Sequence, residues 1–512
     1  MPHVPSAVPI ASGVTDRAGA EGGALEICPS AHRPWDQLDG SLARIRVPGG
    51  VLTSSQLRQV ARTTDRHGSG ATVTNRANVQ LRGMPGPVAS WIGELVDAGL
   101  VAADPETDAR RNVLASPTAG VDPGEIVDVG PLVVAVLGIL EAATGPRSTK
   151  FGVLLDGGGA VHLRGRRHDL CLGARRTTGG APVFEVRLAQ ALPVAVPDRP
   201  RPVDGPVTAV EPTAVPALVA GVVEMLADLG DPAGRMADVV AVRGRPGVID
   251  DLMRRTGVEL AQLPGEALDP LPGPSAPPAG TMPEQGGETW SIGAAPVLGH
   301  LGAAALRGLA ELAEQAASVT TTAGGNRRAT SAQVRLTPWR SVLLPHVTTV
   351  AVPSVVAGLE QMGLATDPAD PAWSVVACAG SSGCPAAHTD TQRHGRLLIA
   401  ALREVAGSTS PEPSGPLRVH LSGCAKRCAD PSGQFHVTLV GGPGADVYQV
   451  ARDAGGRTSN RPAVAGPTPL DPETPVDPET PVDPETPVDP ETPVDPETAI
   501  AAVLSAARSR RP

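Results

Sequence analysis

Six cysteines occur in the 512 residues, and four of them, Cys378, Cys384, Cys424 and Cys428, form the pairs Cys-x5-Cys and Cys-x3-Cys about forty residues apart. Four thiolates delivered by two facing loops can hold a [4Fe-4S] cluster. Gly380, Gly383 and Pro385 flank the first pair, and Ser422 and Gly423 precede the second. Such residues bend the backbone and free its amides to point at sulfur. Structural zinc is the nearest alternative, but its paired ligands usually sit about two to four residues apart; disulfides or inert thiols remain the third reading. Cys28 and Cys171 have no paired neighbour and read as structural thiols.

A second group of residues suits carboxylates. Arg44 and Arg46 share one face of a predicted strand, and Arg76, Asn78, Gln80 and Arg82 alternate along another, with Ile45, Val73, Val79 and Leu81 on the core side. A solvated sheet face would explain that alternation equally well. Arg111 and Lys150 add further cations. Guanidinium grips carboxylates through two parallel N–H bonds, so a ligand carrying several carboxylates fits this donor face. His388 and His420 lie four residues from Cys384 and Cys424, where each can bind iron, relay protons or simply hydrogen-bond. No GxGxxG opens a helix after a strand, and Gly441-Gly442-Pro443-Gly444 reads as a turn, so electrons are expected from a separate reductase or ferredoxin.

The elements that must position these residues are written twice, at an offset of about 263. The first copy reads as a strand Leu42 to Val47, a helix Ser54 to Arg66, an alternating strand Ala71 to Arg82 and a helix closing at Ala98-Gly99-Leu100. The second reads as Trp290 to Ile292, Ala303 to Ala317, Gln333 to Leu344 and a helix closing at Met362-Gly363-Leu364. Thr74 then falls on Thr337 and Ser116 on Cys378, so only one copy keeps thiols. Two α+β units around a pseudo-twofold axis, with a cleft between them, are expected. Ser116 is expected to lie across that axis from the cysteines, free to meet a ligand.

Composition narrows the function classes. Hydrophobic residues make up 41% of the chain but aromatics only 2%, so the core is aliphatic and base-stacking platforms are not expected. The net charge of −10 resides in the tail: residues 471–500 hold five Asp and five Glu and no base, leaving 43 acids against 43 bases elsewhere. Neither a nucleic-acid nor a membrane partner is implied, and few cysteines suit a reducing cytoplasm. Residues 194–212 and 262–287 are rich in Pro and Gly and read as linkers, residues 1–25 as a disordered leader, and the repeated hexapeptide DPETPV from Asp471 as an extended spacer before a short terminal helix.

These motifs resemble the nitrite and sulfite reductase superfamily over about residues 26–460. The most specific are ACAGSSGCPAA (377–387) and HLSGCAKRCA (420–429), supported by RIRVPGG (44–50), TNRANVQLRG (74–83), RNVLASPTAG (111–120) and KFGVLLD (150–156). The resemblance implies a duplicated α+β architecture. A leader (1–25) precedes a ferredoxin-like half-domain (26–104), a larger α+β domain without cluster cysteines (105–262) and a linker (263–287). A second half-domain (288–368), a cluster-binding domain (369–460) and the acidic tail (461–512) follow. It also implies that Arg44, Arg46, Arg76, Asn78, Gln80, Arg82, Arg111 and Lys150 bind a tetrapyrrole. In siroheme-containing members the last cluster cysteine, here Cys428, bridges cluster and haem iron. Sulfite-reducing members carry a second lysine where this chain has Gly152, which is expected to remove a charge and leave space. The likeness is closest to the oxidoreductases of aerobic cobalamin biosynthesis. The activity then implied is a monooxygenase-type hydroxylation of precorrin-3A at C20 with closure of a γ-lactone, using oxygen, the [4Fe-4S] cluster as electron source and an additional iron that activates oxygen. Siroheme belongs to the alternative, a nitrite or sulfite reductase; a non-enzymatic iron-sulfur carrier is the third reading.

Overall fold

The computed structural model describes residues 29–68, 70–145, 148–193, 206–230, 234–322, 332–406, 417–428, 435–443, 446–452 and 493–509. The first half-domain contains β1 (Trp35–Gln37), β2 (Gly40–Ile45), β3 (Val51–Thr53), α1 (Ser54–His67), β4 (Gly70–Val73), β5 (Val79–Met84) and α2 (Ile92–Asp97), followed by α3 (Pro105–Arg110). The first larger domain contains β6 (Val113–Ala115), α4 (Gly130–Ala142), β7 (Val153–Asp156), β8 (Leu170–Arg176), β9 (Pro182–Leu188), β10 (Val207–Val210), α5 (Val215–Ala227), α6 (Met236–Thr256) and β11 (Ala261–Leu263). The second half-domain contains β12 (Gly280–Pro283), β13 (Thr289–Ala294), β14 (His300–Leu301), α7 (Ala303–Thr322), β15 (Gln333–Leu336), β16 (Val342–Thr348) and α8 (Val352–Gln361). The last domain contains β17 (Val375–Ala377), α9 (Thr391–Ala406), β18 (Val419–Ser422), β19 (Val437–Gly441), β20 (Tyr448–Arg452) and α10 (Pro496–Ser509).

Local chemistry sets the boundaries. Thr53 and Gln56 form a capping box at the start of α1, Leu57, Val60, Ala61 and Thr64 repeat its buried stripe, and Gly68 ends it at φ 62°. The stretch Ala71 to Arg82, expected as one strand, is a hairpin. Thr74 N donates to Asn78 O at 2.9 Å, Thr74 Oγ1 accepts from Asn78 N at 3.1 Å, and Ala77 turns the chain at φ 53°. Gln333 to Leu344 is corrected in the same way: Thr337 N donates to Ser341 O at 2.9 Å and Arg340 adopts φ 59°. Alternation continues across both turns, which is why the pattern alone reads as unbroken strand.

The half-domains exchange strands. One sheet runs β1-β2-β5-β4-β14 and the other β12-β13-β16-β15-β3, so each copy's short strand completes the other's sheet. Val51 pairs with Arg335, and Leu301 with Ala71, both antiparallel. Helices α1 and α7 pack together, and Arg58–Glu314 (2.7 Å) and Arg307–Asp65 join them by reciprocal ion pairs. These partners are related by one shift, since 307 − 58 and 314 − 65 both give 249. Leu57 and Val60 share one buried core with Leu306, Leu309 and Ala313, so the pair folds as a unit.

The two larger domains repeat each other as well. In β6-β7-β8-β9 and in β17-β18-β19-β20 the first two pairings are parallel and the third antiparallel. Each sheet has its own core beneath α4 to α6 or α9 and α10, and Ala499 and Val503 dock the terminal helix. The expected linker 263–287 is corrected in part: Gly280–Pro283 is an edge strand paired with β13, because backbone groups beside a sheet edge find partners there. The leader 1–25, residues 194–205 and the repeats through 492 lie outside the described residues. Among the described residues no helix is long and apolar enough to cross a membrane.

Candidate functional site

Strands β17 and β18 end side by side, and the cysteine loops leave from those ends. Cys378 N donates to Leu421 O at 3.0 Å, Gly423 N donates to Cys378 Sγ at 3.1 Å, and His388 N donates to Gly423 O at 2.8 Å. The first loop turns at Gly380 (φ 72°), where a β-carbon would meet Thr391 N at 2.8 Å. Cys384 N donates to Gly380 O at 2.9 Å, and Thr391 Oγ1 and Gln392 Nε2 both donate to Cys378 O, at 2.9 and 2.6 Å. Cys378, Cys384, Cys424 and Cys428 are free thiols. Burial pushes the partly covered Cys428 thiol up from its ordinary pKa, and Cys424, Cys378 and Cys384 add to the shift, so all four gather in one place.

Among the described residues no three His, Cys, Asp or Glu side chains converge as a ligand set for a single metal ion. A cubane distributes its thiolates over four irons and holds them further apart than one ion does. Four free thiols on two braced loops, with an amide already aimed at sulfur, fit that group. His388 is exposed and contributes its backbone to the brace, whereas the His420 ring is buried 5.5 Å from Phe435. Cys171 is fully buried and burial pushes its thiol up to about 12, consistent with an inert structural residue.

The first copy shows what the same frame does without thiols. Ser116 N donates to Leu155 O at 3.1 Å, and Gly157 N donates to Ser116 Oγ at 3.1 Å, the counterparts of the Cys378 bonds. Ser116 therefore occupies the ligand position. It is not free to meet a ligand, however: it is 2% exposed and its hydroxyl also donates to Asp156 Oδ1 at 3.1 Å.

The eight donors divide into two sets. Arg44 and Gln80 are directly paired across β2 and β5, both half-buried, and Arg44 Nε has no hydrogen-bond partner among the described residues. Arg76 is exposed on the β4–β5 turn, and Lys150 is half-buried beside Phe151. The other four have partners within the protein. Arg46, 2% exposed, gives Nε to Asn112 Oδ1 at 2.9 Å and pairs with Asp108 at 3.5 Å. Asn78 Oδ1 accepts from Val47 N at 2.9 Å. Arg111 pairs with Glu141 at 3.1 Å and Asp108 at 3.6 Å. Arg82 forks onto Asp39 at 2.8 and 3.0 Å and donates to Gly383 O, tying the first half-domain to the cysteine loop. Strand alternation could not reveal these partners, which come from distant elements.

Other groups escaped the sequence reading. The His168 ring lies against Gly152, where a β-carbon would be 3.2 Å from His168 Cδ2 and 3.5 Å from Asn112 O. An imidazole therefore borders the space expected at residue 152. Burial pulls His168 down to about 3, and Arg76, Arg166 and Arg235 add to the effect, so the ring is neutral at physiological pH. Arg235 is itself bound to Asp169 at 2.7 and 2.8 Å, and Asp169 Oδ2 accepts from Gly152 N at 3.2 Å. Arg166 and Arg418 lie near one another in this region. Their only sequence signal is an unusual density of Arg at 164–167 and a lone Arg before β18.

Two exchanged ferredoxin-like half-domains carrying two α+β domains, one with four gathered thiols, define a nitrite/sulfite-reductase-type protein. The family model for the nitrite/sulfite reductase ferredoxin-like half domain matches residues 36–92 and 282–362. The chain carries that half domain twice and is similar over about four-fifths of its length to proteins of the nitrite/sulfite reductase type. It is 29% identical to a precorrin-3B synthase from Sinorhizobium sp over 429 residues, 81% of this chain and 80% of the relative. It is 26% identical to a ferredoxin–nitrite reductase of Synechococcus elongatus, covering 76% of this chain and 74% of that one. The solved structure of the Mycobacterium tuberculosis NirA protein has the same fold, with a TM-score of 0.61 at 20% identity over 80% of this chain and 74% of that one.

Proposed function

We propose that the chain acts as a precorrin-3B synthase: it hydroxylates precorrin-3A at C20, with oxygen and electrons, and closes the γ-lactone. The observation that carries this reading is the Gly152–His168 contact. A small oxyanion losing oxygen needs several cations around it, to hold its charge and deliver protons. At residue 152 this chain offers a neutral imidazole packed against glycine, where sulfite-reducing members carry a cationic lysine. Oxygen is small and uncharged and needs access rather than another cation. The likeness to a precorrin-3B synthase across four-fifths of both chains supports the same choice.

When bound, a [4Fe-4S] cluster on Cys378, Cys384, Cys424 and Cys428 supplies single electrons. Arg44, Arg76, Gln80 and Lys150 hold carboxylates of the macrocycle, and Arg46, Asn78, Arg82 and Arg111 keep the surrounding strands and cysteine loop in place. Electrons come from a separate reductase or ferredoxin. The test supplies reduced protein with precorrin-3A and oxygen, and separately with sulfite and nitrite under anaerobic conditions. A hydroxylated lactone is the expected product. Sulfide or ammonia released at an enzymatic rate, with precorrin-3A unchanged, would assign the chain instead to the siroheme-dependent reductases.

A further inference from the structure

We propose that His394 takes up one proton from solvent for each electron placed on the cysteine-bound cluster, with Tyr448 as the residue that holds its ring. The inference rests on the [4Fe-4S] cluster assigned above to Cys378, Cys384, Cys424 and Cys428, and not on the choice of substrate. His394 lies on α9, about one turn beyond Thr391 and Gln392, which both donate to the Cys378 carbonyl. Its Nδ1 is 3.1 Å from the Tyr448 hydroxyl, and the two rings meet edge to face with centres 5.7 Å apart. Tyr448 stands opposite Gly441 in the β19–β20 pair. A β-carbon at Gly441 would lie 2.6 Å from Gly423 O and 2.8 Å from Thr389 Oγ1, and Gly423 N is the donor to Cys378 Sγ. The pair therefore backs onto the point where the two cysteine loops touch.

Burial makes this ring a proton site that responds to charge. Tyr448 is fully buried and His394 is 3% exposed. Around the ring, among the described residues, β20 offers Tyr448, the β19–β20 turn offers Asp446, and α9 itself offers Asp390 and Arg393. Strands β17 and β18, the Val297–Gly299 turn and α10 meet α9 through apolar residues. Burial holds the ring below its ordinary pKa, against the pull of Asp446 and Asp390, and Arg393 adds to the effect of burial. It is therefore neutral at neutral pH before an electron arrives. Burial also pushes the Tyr448 hydroxyl up, and Cys378 adds to that shift, so the phenol keeps its proton. Negative charge added behind buried groups is poorly screened and favours the imidazolium. Nδ1 is engaged by Tyr448, which leaves Nε2 to receive the proton. The step balances: a one-electron donor, the reductase or ferredoxin proposed above, supplies the electron, solvent supplies the proton, and one positive charge on His394 offsets one negative charge on the cluster. Asp390 and Asp446 are half-buried, and Asp390 N donates to Asp446 Oδ1 at 3.2 Å, so the ring's carboxylate neighbours reach solvent although the ring does not. The coupling is reciprocal: if the electron raises the proton affinity of His394, the proton raises the electron affinity of the cluster by the same factor.

The test uses the full chain purified anaerobically, as wild type, His394→Gln and Tyr448→Phe, with iron and acid-labile sulfide measured on each. The midpoint potential of the cluster is read by electron paramagnetic resonance from about pH 6 to about pH 9, a range that starts near the ordinary pKa of histidine. Proton uptake is followed with an indicator dye on reduction by methyl viologen radical, which brings an electron and no proton. The wild-type potential is expected to fall as pH rises, by up to about 59 mV per tenfold drop in proton concentration, with protons taken up on reduction. Glutamine keeps an amide for the Tyr448 hydroxyl but has no site for a proton, so His394→Gln should hold the cluster, flatten the profile and abolish the uptake. Tyr448→Phe should keep the slope and move the pH at which it sets in, because the ring loses its Nδ1 partner; this variant decides the matter if His394→Gln holds no cluster. A flat wild-type profile, a wild-type slope in His394→Gln, or an unmoved profile in Tyr448→Phe overturns the inference. Wild-type protein without acid-labile sulfide removes the cluster reading and this inference with it, whereas a cluster whose potential ignores pH overturns this inference alone.

Discussion

If the four cysteines hold the proposed [4Fe-4S] cluster, Gly423→Ala should loosen it without unfolding the protein. Gly423 is where the two cysteine loops touch: its amide meets Cys378 Sγ at 3.1 Å and its carbonyl accepts from His388 N at 2.8 Å. A β-carbon there would lie 2.6 Å from Ala387 Cβ. Carbon atoms rest at about 3.5 Å or more, so the loops must part by about 1 Å or distort. Overpacking of this kind typically costs about 1–3 kcal/mol, which lowers the closed arrangement by roughly 5- to 150-fold. Iron and acid-labile sulfide per chain, and resistance to a chelator, are measured on anaerobic protein, with Cys428→Ser as the cluster-deficient reference. The expected result is cluster loss at lower chelator concentration with unchanged far-ultraviolet circular dichroism. Gly157→Ala is the matched control in the first copy, where a β-carbon would meet Glu125 Oε1 at 2.3 Å and Val127 O at 2.5 Å. It should lower the melting temperature and spare the cluster. A Gly423→Ala protein with a full, wild-type-resistant cluster would refute the argument that this contact sets the loop spacing.

Arg76→Ala should weaken binding of a carboxylated tetrapyrrole by about tenfold, the loss expected for one charge-assisted contact of about 1.5 kcal/mol, as read by fluorescence titration. Arg111→Ala should instead lower the melting temperature, because it strips Glu141 and the buried Asp108 of a partner; the opposite pattern would exchange their roles. Burial raises the Glu284 pKa, but hydrogen bonds from His346 and Ser291 outweigh it and hold the carboxyl at about 2. A carboxyl lowered on folding stabilises above its unfolded pKa and loses that contribution as pH falls from about 4.5 to about 2, a loss on the order of 3 kcal/mol. Glu284→Gln should therefore flatten the acid limb of the stability curve; unchanged acid sensitivity would rule out Glu284 as its source.

Much of the frame was legible because it depends on local signals. The capping residues of α1, the positive-φ ends at Gly99 and Gly363, and the repeat that puts Ser116 on Cys378 all depend on residues close in sequence or on a single offset. The hairpins were hidden because Thr74 and Thr337 close their turns through hydroxyl and backbone bonds, without a glycine to mark the break. Strand exchange was hidden for another reason. Val51–Thr53 and His300–Leu301 are three and two residues long, too short to carry a period, and their partners belong to the other copy. The protein partners of the donor face were hidden because alternation gives the direction of a side chain but not the acid waiting there, as Asp108 waits for Arg46.

The duplication also sets the four thiols of one copy against the closed loop of the other. The frame demands that something accept the amide at Gly157 or Gly423, and a hydroxyl serves the first as a thiol serves the second. The loop facing Ser116 goes further. Asp122 accepts from Gly124 N at 2.8 Å and Ala160 N at 2.9 Å, and Thr118 donates to it at 3.4 Å, so a carboxylate uses up amides that an open loop would present. Glu125 closes the same region; burial raises its pKa to about 7, with Asp128 and Asp122 adding to the effect. Arg335 lies beside these acids, and its Nη1 donates to the carbonyls of Pro117 and Ala119 at 2.9 and 2.7 Å. A loop closed by its own carboxylates has no donors left for a cluster. The protein is therefore symmetric in backbone and asymmetric in chemistry: one loop pair is closed by its own hydroxyl and carboxylates, and the other carries four thiols around Gly423.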